Sequence, residues 1–238
     1  MKLALLGYGK MGQGIAALAT AKGHTITAQI NSKNTLQQQL EQALQADVWL
    51  EFSTPDTALN HIRTAIKHQK PIVVGTTGWY AHLNELRQEV VKFNATVFYA
   101  RNFSLGVHLF FKLNQSLAKA MQNHAQYQAK VQEWHHTQKL DRPSGTAIQL
   151  CEQILQEQPN FTTWSLNAQS PQELPVEAFR EASIPGTHRV TYSSEIDELT
   201  ISHRAFSRDG FISGALMAAE FCMKHHGLLT MEDLWPHA

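Results

Sequence analysis

Fifteen consecutive residues, Glu133-Trp134-His135-His136-Thr137-Gln138-Lys139-Leu140-Asp141-Arg142-Pro143-Ser144-Gly145-Thr146-Ala147, hold an acid, two imidazoles, an ammonium and a Pro-Ser-Gly-Thr turn. On a strand running into a loop, His135 and Lys139 could face one cleft. Ser144 is a good N-cap residue, so Ser144, Gly145 and Thr146 should open a helix and offer backbone N–H groups and hydroxyls to a carboxylate or phosphate. His136 adds another donor. Such a set suits an anionic substrate that takes up a proton, a step for which a positioned acid gives roughly 10²–10⁴-fold in rate. Taken alone, the same residues also fit two surface imidazoles, a solvated lysine and an ordinary helix start.

A second chemical signal stands at the other end of the chain. Gly7-Tyr8-Gly9-Lys10-Met11-Gly12 fits G-x-G-x-x-G between an apolar run and a helical pattern. The first glycine permits a tight turn, the second lets a pyrophosphate approach the backbone, and the third lets helix and strand pack closely. The free N–H groups of the following helix would face the phosphates. The next strand should end at the ribose, where an acid would bond the 2′-hydroxyl of NAD. Here Asn31-Ser32-Lys33 replaces that acid, and a neutral amide, a hydroxyl and an ammonium point to acceptance of NADPH as well as NADH. Gly75-Thr76-Thr77-Gly78 and Ala100-Arg101-Asn102-Phe103 follow two later strands and are candidates to border the nicotinamide.

The elements that must position these residues show as patterns. Apolar runs at Lys2–Leu6, Thr25–Ile30, Val48–Phe52, Pro71–Val74 and Thr96–Ala100 alternate with helical patterns at Met11–Ala21, Leu36–Gln45, Thr57–Lys67 and Tyr80–Lys92. Strands alternating with helices imply right-handed crossovers and a parallel sheet. Beyond Phe103 the order changes. Leu105, Leu109, Leu113 and Leu117 mark one face of a long helix. Tyr127–Trp134 alternates like a strand, and a helix should start at Pro143-Ser144-Gly145-Thr146. The polar stretch with Pro171 and Pro175 reads as a loop. Strands follow at Arg189–Ser193 and Glu198–Ala205, then a small-residue helix at Ser213–Lys224. The expected architecture is an α/β dinucleotide-binding domain, 1–103 with 209–238, and an α+β substrate and oligomerisation domain, 104–208, with a mixed open sheet.

Composition narrows the function classes. The chain has 238 residues, of which 43% are apolar, enough for a sizeable core. Zero formal net charge argues against general nucleic-acid or membrane-surface binding. Cys151 and Cys222 have no metal or redox spacing, which fits a reducing compartment. The apolar run Leu3–Leu6 stops at Gly7, too short for a signal-peptide core. No run approaches membrane-spanning length. A cytoplasmic protein is expected, and no metal site. Of the thirteen histidines, His24, His61, His68, His82, His124, His225, His226 and His237 read as scattered surface residues. His135, His136, His188 and His203 stand in more pointed contexts.

Glu133-x-His135-x-x-x-Lys139-x-Asp141-x-Pro143-Ser144-Gly145-Thr146-Ala147 resembles the signature of the 4-hydroxy-tetrahydrodipicolinate reductase (dihydrodipicolinate reductase) family of the diaminopimelate route to lysine. The resemblance extends to the N-terminal glycine turn, Gly75-Thr76-Thr77-Gly78, Asn102-Phe103-Ser104-Leu105-Gly106, Pro185-Gly186-Thr187-His188 and His203-Arg204-Ala205-Phe206-Ser207-Arg208. It implies a Rossmann domain completed by the C-terminal helix, and a second domain that forms homotetramers through its sheet. It implies hydride transfer from NADPH or NADH to a small dicarboxylate. By position, His135 would donate or accept a proton and Lys139 would donate one. His136, Ser144, Gly145 and Thr146 would serve the substrate carboxylates. Gly7 to Gly12, Gly75 to Thr77 and Ala100 to Phe103 would hold the nucleotide. Lys130, Arg142, Arg101 and Asn31 depart from the family pattern, which touches cofactor preference and the pocket rim. Two other readings keep the glycine turn: an aspartate-dehydrogenase-like enzyme acting on an amino or imino dicarboxylate, and a non-catalytic dinucleotide sensor. Neither needs Pro-Ser-Gly-Thr after His-x-x-x-Lys.

Overall fold

A computed structural model describes residues 1–182 and 184–236. His237 and the last residue of the expected first domain therefore lie outside the described residues. The chain opens with β1 (Lys2–Leu6), α1 (Lys10–Ala21), β2 (Thr25–Ile30), α2 (Leu40–Leu44), β3 (Val48–Glu51), α3 (Pro55–Lys67), β4 (Ile72–Val74), α4 (Leu83–Phe93) and β5 (Thr96–Tyr99). It continues with α5 (Leu105–Ala120), β6 (Gln128–His135), α6 (Gly145–Glu157), β7 (Thr163–Ser165), β8 (Glu173–Arg180), β9 (Gly186–Ser193) and β10 (Glu198–Ala205), then α7 (Asp209–Cys222), β11 (Gly227–Leu229) and α8 (Met231–Leu234). No described helix is long and apolar enough to cross a membrane.

Two compact units result: Met1–Ser104 with residues 209–236, and Leu105–Arg208. The first is built on a parallel sheet in the order β11-β5-β4-β3-β1-β2. Its inner strands β1, β3, β4 and β5 are buried almost throughout, which is why they read as continuous apolar runs. Alternate residues divide between two cores. Leu3, Leu5, Val48, Leu50, Val73 and Phe98 pack with α1 and α7. Ala4, Leu6, Trp49, Ile72, Val74 and Val97 pack with α3 and α4. Fully buried Ile62 and Ile66 pin α3, each burial worth roughly 1.5–3 kcal/mol. The small residues of α7 have a steric reason: a Cβ on Gly214 would lie 1.8 Å from the Phe103 carbonyl oxygen.

The strand order reverses at β1, so ligands should enter beside the carboxyl ends of β1 and β3. Those ends converge tightly, since a Cβ on Gly7 would sit 2.2 Å from the Phe52 carbonyl oxygen. The second unit is a mixed sheet, β10-β9-β6-β8-β7. Strand β8 runs parallel to β6 and β7, whereas β9 is antiparallel to β6 and β10.

Several expectations need correction. The stretch around Pro171 and Pro175 holds β7 and β8 rather than a loop. Pro175, which has no N–H to give, stands where the β7 pairing ends and the β6 pairing begins. A single helix over 36–45 is instead a 3-10 turn at Gln37–Gln39 followed by α2. The side chains of Gln38 and Gln39 are engaged with the backbone N–H groups of Thr35 and Gln29. Leu105, Leu109 and Leu113 are exposed on α5, whose packed face is Val107, Phe110, Phe111, Asn114 and Ala118. The first sheet gains an unforeseen edge strand, β11. His61 is buried rather than on the surface.

Candidate active site

In the first unit the three motif glycines differ in what surrounds them. Gly7 has φ +106°, a conformation that favours glycine, and a Cβ on Gly12 would lie 2.1 Å from the Gly7 carbonyl oxygen. Both are required by the chain itself. Gly9 has φ −82° and nothing within 4 Å of its Cβ position. No internal contact requires a glycine there, so the open space is available to a ligand. Gly9 is also the N-cap of α1, with no side-chain cap and no acid in the first turn. The leading N–H groups are free and the positive end of the helix dipole is unopposed. These features fit a dinucleotide pyrophosphate.

A cavity of about 590 Å³ adjoins this turn. Gly7, Tyr8, Gly9, Asn31 and Ser32 line it, together with Asn34, Thr35, Ser53, Thr54, Thr57 and His61 on other segments. Lys33 is not among the lining residues, and Asn31 turns its Oδ1 back to accept from the Lys33 N–H at 2.8 Å. Beneath the cavity, the fully buried Glu51 accepts from the Ser53 N–H at 3.1 Å and from the Ser53 hydroxyl. His61 Nδ1 lies 3.4 Å from the same carboxylate. This acid–imidazole pair was invisible in the sequence, where His61 had no partner at helical or strand spacing.

The later candidate segments lie at the ends of β4 and β5. A Cβ on Gly75 would run into the Phe52 ring. The Thr76 carbonyl accepts from the Trp79 indole at 2.8 Å, and Thr77 is exposed. Ala100 and Phe103 are buried, while Asn102 Oδ1 accepts from the Ser104 N–H. Arg101 stacks 5.2 Å over the Tyr80 ring.

The second unit gathers the fifteen-residue signature around one carboxylate. Glu133 is 0% exposed, on β6. The Ser144 N–H donates to both its oxygens, at 3.2 and 3.0 Å, and Arg180 Nη2 donates to Oε1 at 3.0 Å. His135 Nδ1 and His188 Nε2 approach Oε2 at 3.5 and 3.7 Å. The rings of His135 and His188 meet edge to face, 5.0 Å apart. A Cβ on Gly186 would lie 3.2 Å from His135 Nε2, so the start of β9 closes against that imidazole.

Ser144 caps α6 as its type suggests, its Oγ accepting from the Ala147 N–H at 3.2 Å. The same Oγ lies 3.2 Å from His188 Nε2. The Cβ position of Gly145 has open space around it, as at Gly9. Lys139 pairs with Asp141 at 2.8 Å, and the Lys139 N–H bonds the His136 carbonyl. Burial resists ionisation of Asp141, yet the Lys139 hydrogen bond and charge hold its carboxyl below the usual range. His136 is half-buried, with Nδ1 unpartnered.

Burial pushes His135 down to about 4, with Glu133 opposing and Lys139 and Arg180 assisting. Burial also pushes His188 down, to about 3, helped by His135, His203 and Lys139. Both imidazoles are neutral at pH 7. Glu133, His135 and His188 bring ligand-type atoms within 4.8 Å of one another. A cation has little reason to bind there, because N–H donors and a guanidinium already take up the carboxylate lone pairs.

Sequence reasoning missed Arg180 and gave no roles to Glu133 and His188. The Arg142 guanidinium donates to the Ala178 carbonyl at 2.7 Å. Lys130 pairs with Glu177 at 3.7 Å.

Comparison with known proteins follows this division. Residues 1–103 match the family described as dihydrodipicolinate reductase, N-terminus, and residues 106–235 its C-terminus. A 4-hydroxy-tetrahydrodipicolinate reductase of Christiangramia forsetii is 43% identical over 234 residues, covering 98% of this chain and 97% of that one. One from Staphylococcus aureus is 35% identical, covering 98% and 100%. Among solved structures, the dipicolinate-bound dihydrodipicolinate reductase of Paenisporosarcina sp. TG-14 superposes with a TM-score of 0.76 at 20% identity, covering 98% of each chain. An amine dehydrogenase of Mycobacterium smegmatis shares the fold, with a TM-score of 0.57 at 10% identity over 98% of this chain and 95% of its own.

Proposed function

The chain belongs to the dihydrodipicolinate reductase family, and we propose that it reduces 4-hydroxy-tetrahydrodipicolinate to tetrahydrodipicolinate with NADPH or NADH, in the diaminopimelate route to lysine. The observation that carries this reading is the Glu133 network, which ties His135 to the open N-terminus of α6. Through Arg180 it also ties in the Lys139 segment.

The dinucleotide, when bound, supplies a hydride. Gly7, Gly9 and the first N–H groups of α1, those of Lys10, Met11 and Gly12, cradle its pyrophosphate. Tyr8, Asn31 and Ser32 border the ribose side. Gly75, Thr76, Thr77 and the segment from Ala100 to Phe103 complete the cofactor contacts. The absence of an acid at Asn31-Ser32-Lys33 favours use of NADPH as well as NADH.

On the substrate, Gly145 and Thr146 offer N–H groups to a carboxylate, and Ser144 fixes the helix start that aims them. His136 adds a donor. The substrate's 4-hydroxyl leaves with a ring hydrogen as water, and the double bond so formed would take the hydride that bound NADPH or NADH supplies together with a proton, which Lys139 gives. His135, neutral at pH 7, acts as a hydrogen-bond partner rather than as a standing acid.

The chain is further read as a homotetramer assembled through the second unit's sheet. Edge strand β10 leaves most of its residues open, and Leu199 and Phe206 are exposed. A cytoplasmic location accompanies this reading. Both cysteines are free and buried, and burial raises their thiols, Cys222 to about 12.

The test is NADPH oxidation with the product of dihydrodipicolinate synthase, set against oxaloacetate plus ammonia. Turnover with the first alone is expected. Turnover with the second alone would favour the amino-dicarboxylate reading, and NADPH binding without turnover a sensor.

A further inference from the structure

Arg180 ends β8, and its side chain is only 15% exposed. Its Nη2 donates to the Asp141 carbonyl at 2.6 Å and to Glu133 Oε1 at 3.0 Å. Its Nε reaches the Lys139 carbonyl at 3.4 Å, and its Nη1 the Phe179 carbonyl at 2.8 Å. One guanidinium thus holds the carbonyls on both sides of Leu140, whose side chain is left 95% exposed.

We infer that Arg180 is a positioning residue, which fixes the Lys139 segment to the Glu133 carboxylate and so sets where the proton donor stands. Residues 136–144 leave β6 and reach α6 without helix or strand. Arg180 holds the carbonyls of Lys139 and Asp141 in the middle of this stretch, while Ser144 at its end is tied to Glu133 and His188. A lysine ammonium on a four-carbon stem has no preferred place of its own, so its backbone must be held. A misplacement of about 1 Å costs on the order of 10²-fold in rate. Arginine suits the task because its planar fork directs several donors at once, whereas a lysine radiates three from a point. Its charge also answers that of the fully buried Glu133, which would be costly to keep unpaired.

This inference rests on the reductase reading, and the experiment separates the two. Wild type, Arg180→Ala and Arg180→Lys are compared for kcat, for KM of the dicarboxylate and for NADPH Kd, with thermal melting as a check on folding. Arg180→Ala should lose about 10–100-fold in kcat and keep NADPH Kd within about twofold, because the cofactor features lie in the other unit. Millimolar guanidinium should restore part of that loss, and sodium chloride at equal ionic strength should not. Arg180→Lys, which keeps the charge and loses the fork, should remain at least about fivefold below wild type. If Arg180→Ala does not fold, Arg180→Lys decides. Wild-type kcat in either folded variant, or loss in Arg180→Ala that guanidinium leaves untouched, overturns the inference. A wild type with no turnover removes the reductase reading instead.

Discussion

Gly9→Ala separates a glycine kept for a ligand from one kept for the fold. Gly9 has φ −82° and ψ −158°, extended backbone that alanine adopts, and its Cβ position is free of neighbours. The folded protein should accept the methyl, with a stability change within about 1 kcal/mol, since alanine also restricts the unfolded chain. Gly7→Ala is the contrast. A methyl there meets the Phe52 carbonyl at 2.2 Å on a backbone with φ +106°. Strain of that kind costs on the order of 1–3 kcal/mol before the clash is relieved. For a chain of this length, the melting temperature should fall by about 5 °C or more. A bound pyrophosphate would occupy the space that the Gly9 methyl fills. Gly9→Ala should therefore weaken NADPH binding at least tenfold, about 1.4 kcal/mol, while melting within about 3 °C of wild type. Thermal melts and a titration of NADPH fluorescence read both quantities. A Gly9→Ala protein that melts normally and binds NADPH as wild type does would refute the cradle. One that melts as low as Gly7→Ala would refute the claim that no internal contact requires this glycine.

The buried histidines make stability depend on pH. Unfolded imidazoles protonate near 6.5, whereas His135 and His188 in the folded protein resist to about 4 and 3. Between these values the unfolded state binds more protons, so stability falls as pH drops from about 6.5 toward 4. Urea midpoints at pH 7 and 5 read this, with the lower midpoint expected at pH 5, and an unchanged midpoint would count against neutral burial. Ser144→Ala removes the α6 cap and should cost about 1 kcal/mol while raising KM for the dicarboxylate; a raised KM with unaltered stability would mean that Ser144 acts on substrate alone. Arg142→Ala loses one hydrogen bond, to Ala178, and should cost about 1 kcal/mol with kcat and KM within twofold. A tenfold rise in KM would instead make Arg142 a substrate contact.

The first unit was legible because buried parallel strands write themselves as apolar runs, and the glycine turn falls where β1 meets α1. Ser144 was legible as a cap because capping is a local act of one hydroxyl on an N–H three residues on. What escaped depends on pairing between distant segments. Leu174, Val176 and Ala178 do alternate as a half-buried strand should, and they are buried. Pro171 and Pro175 hid that pattern, and with it Arg180, whose partners lie up to 47 positions away. The leucines of α5 recur at helical spacing, yet the packed face is the one bearing Phe110 and Phe111. Periodicity locates a helix more surely than it chooses between two apolar faces. The Glu51–His61 pair joins a strand end to a helix ten residues on, a contact that only the crossover creates.

On the proposed function, the second unit delivers a proton from Lys139 to a dicarboxylate reduced by NADPH. Single-substrate turnover of wild type and Lys139→Ala, followed as loss of NADPH absorbance with the dihydrodipicolinate synthase product, tests it most directly. Wild type should turn over, and Lys139→Ala should have a kcat lower by about 10²–10⁴-fold with NADPH Kd unchanged. A Lys139→Ala enzyme that keeps full kcat would contradict it.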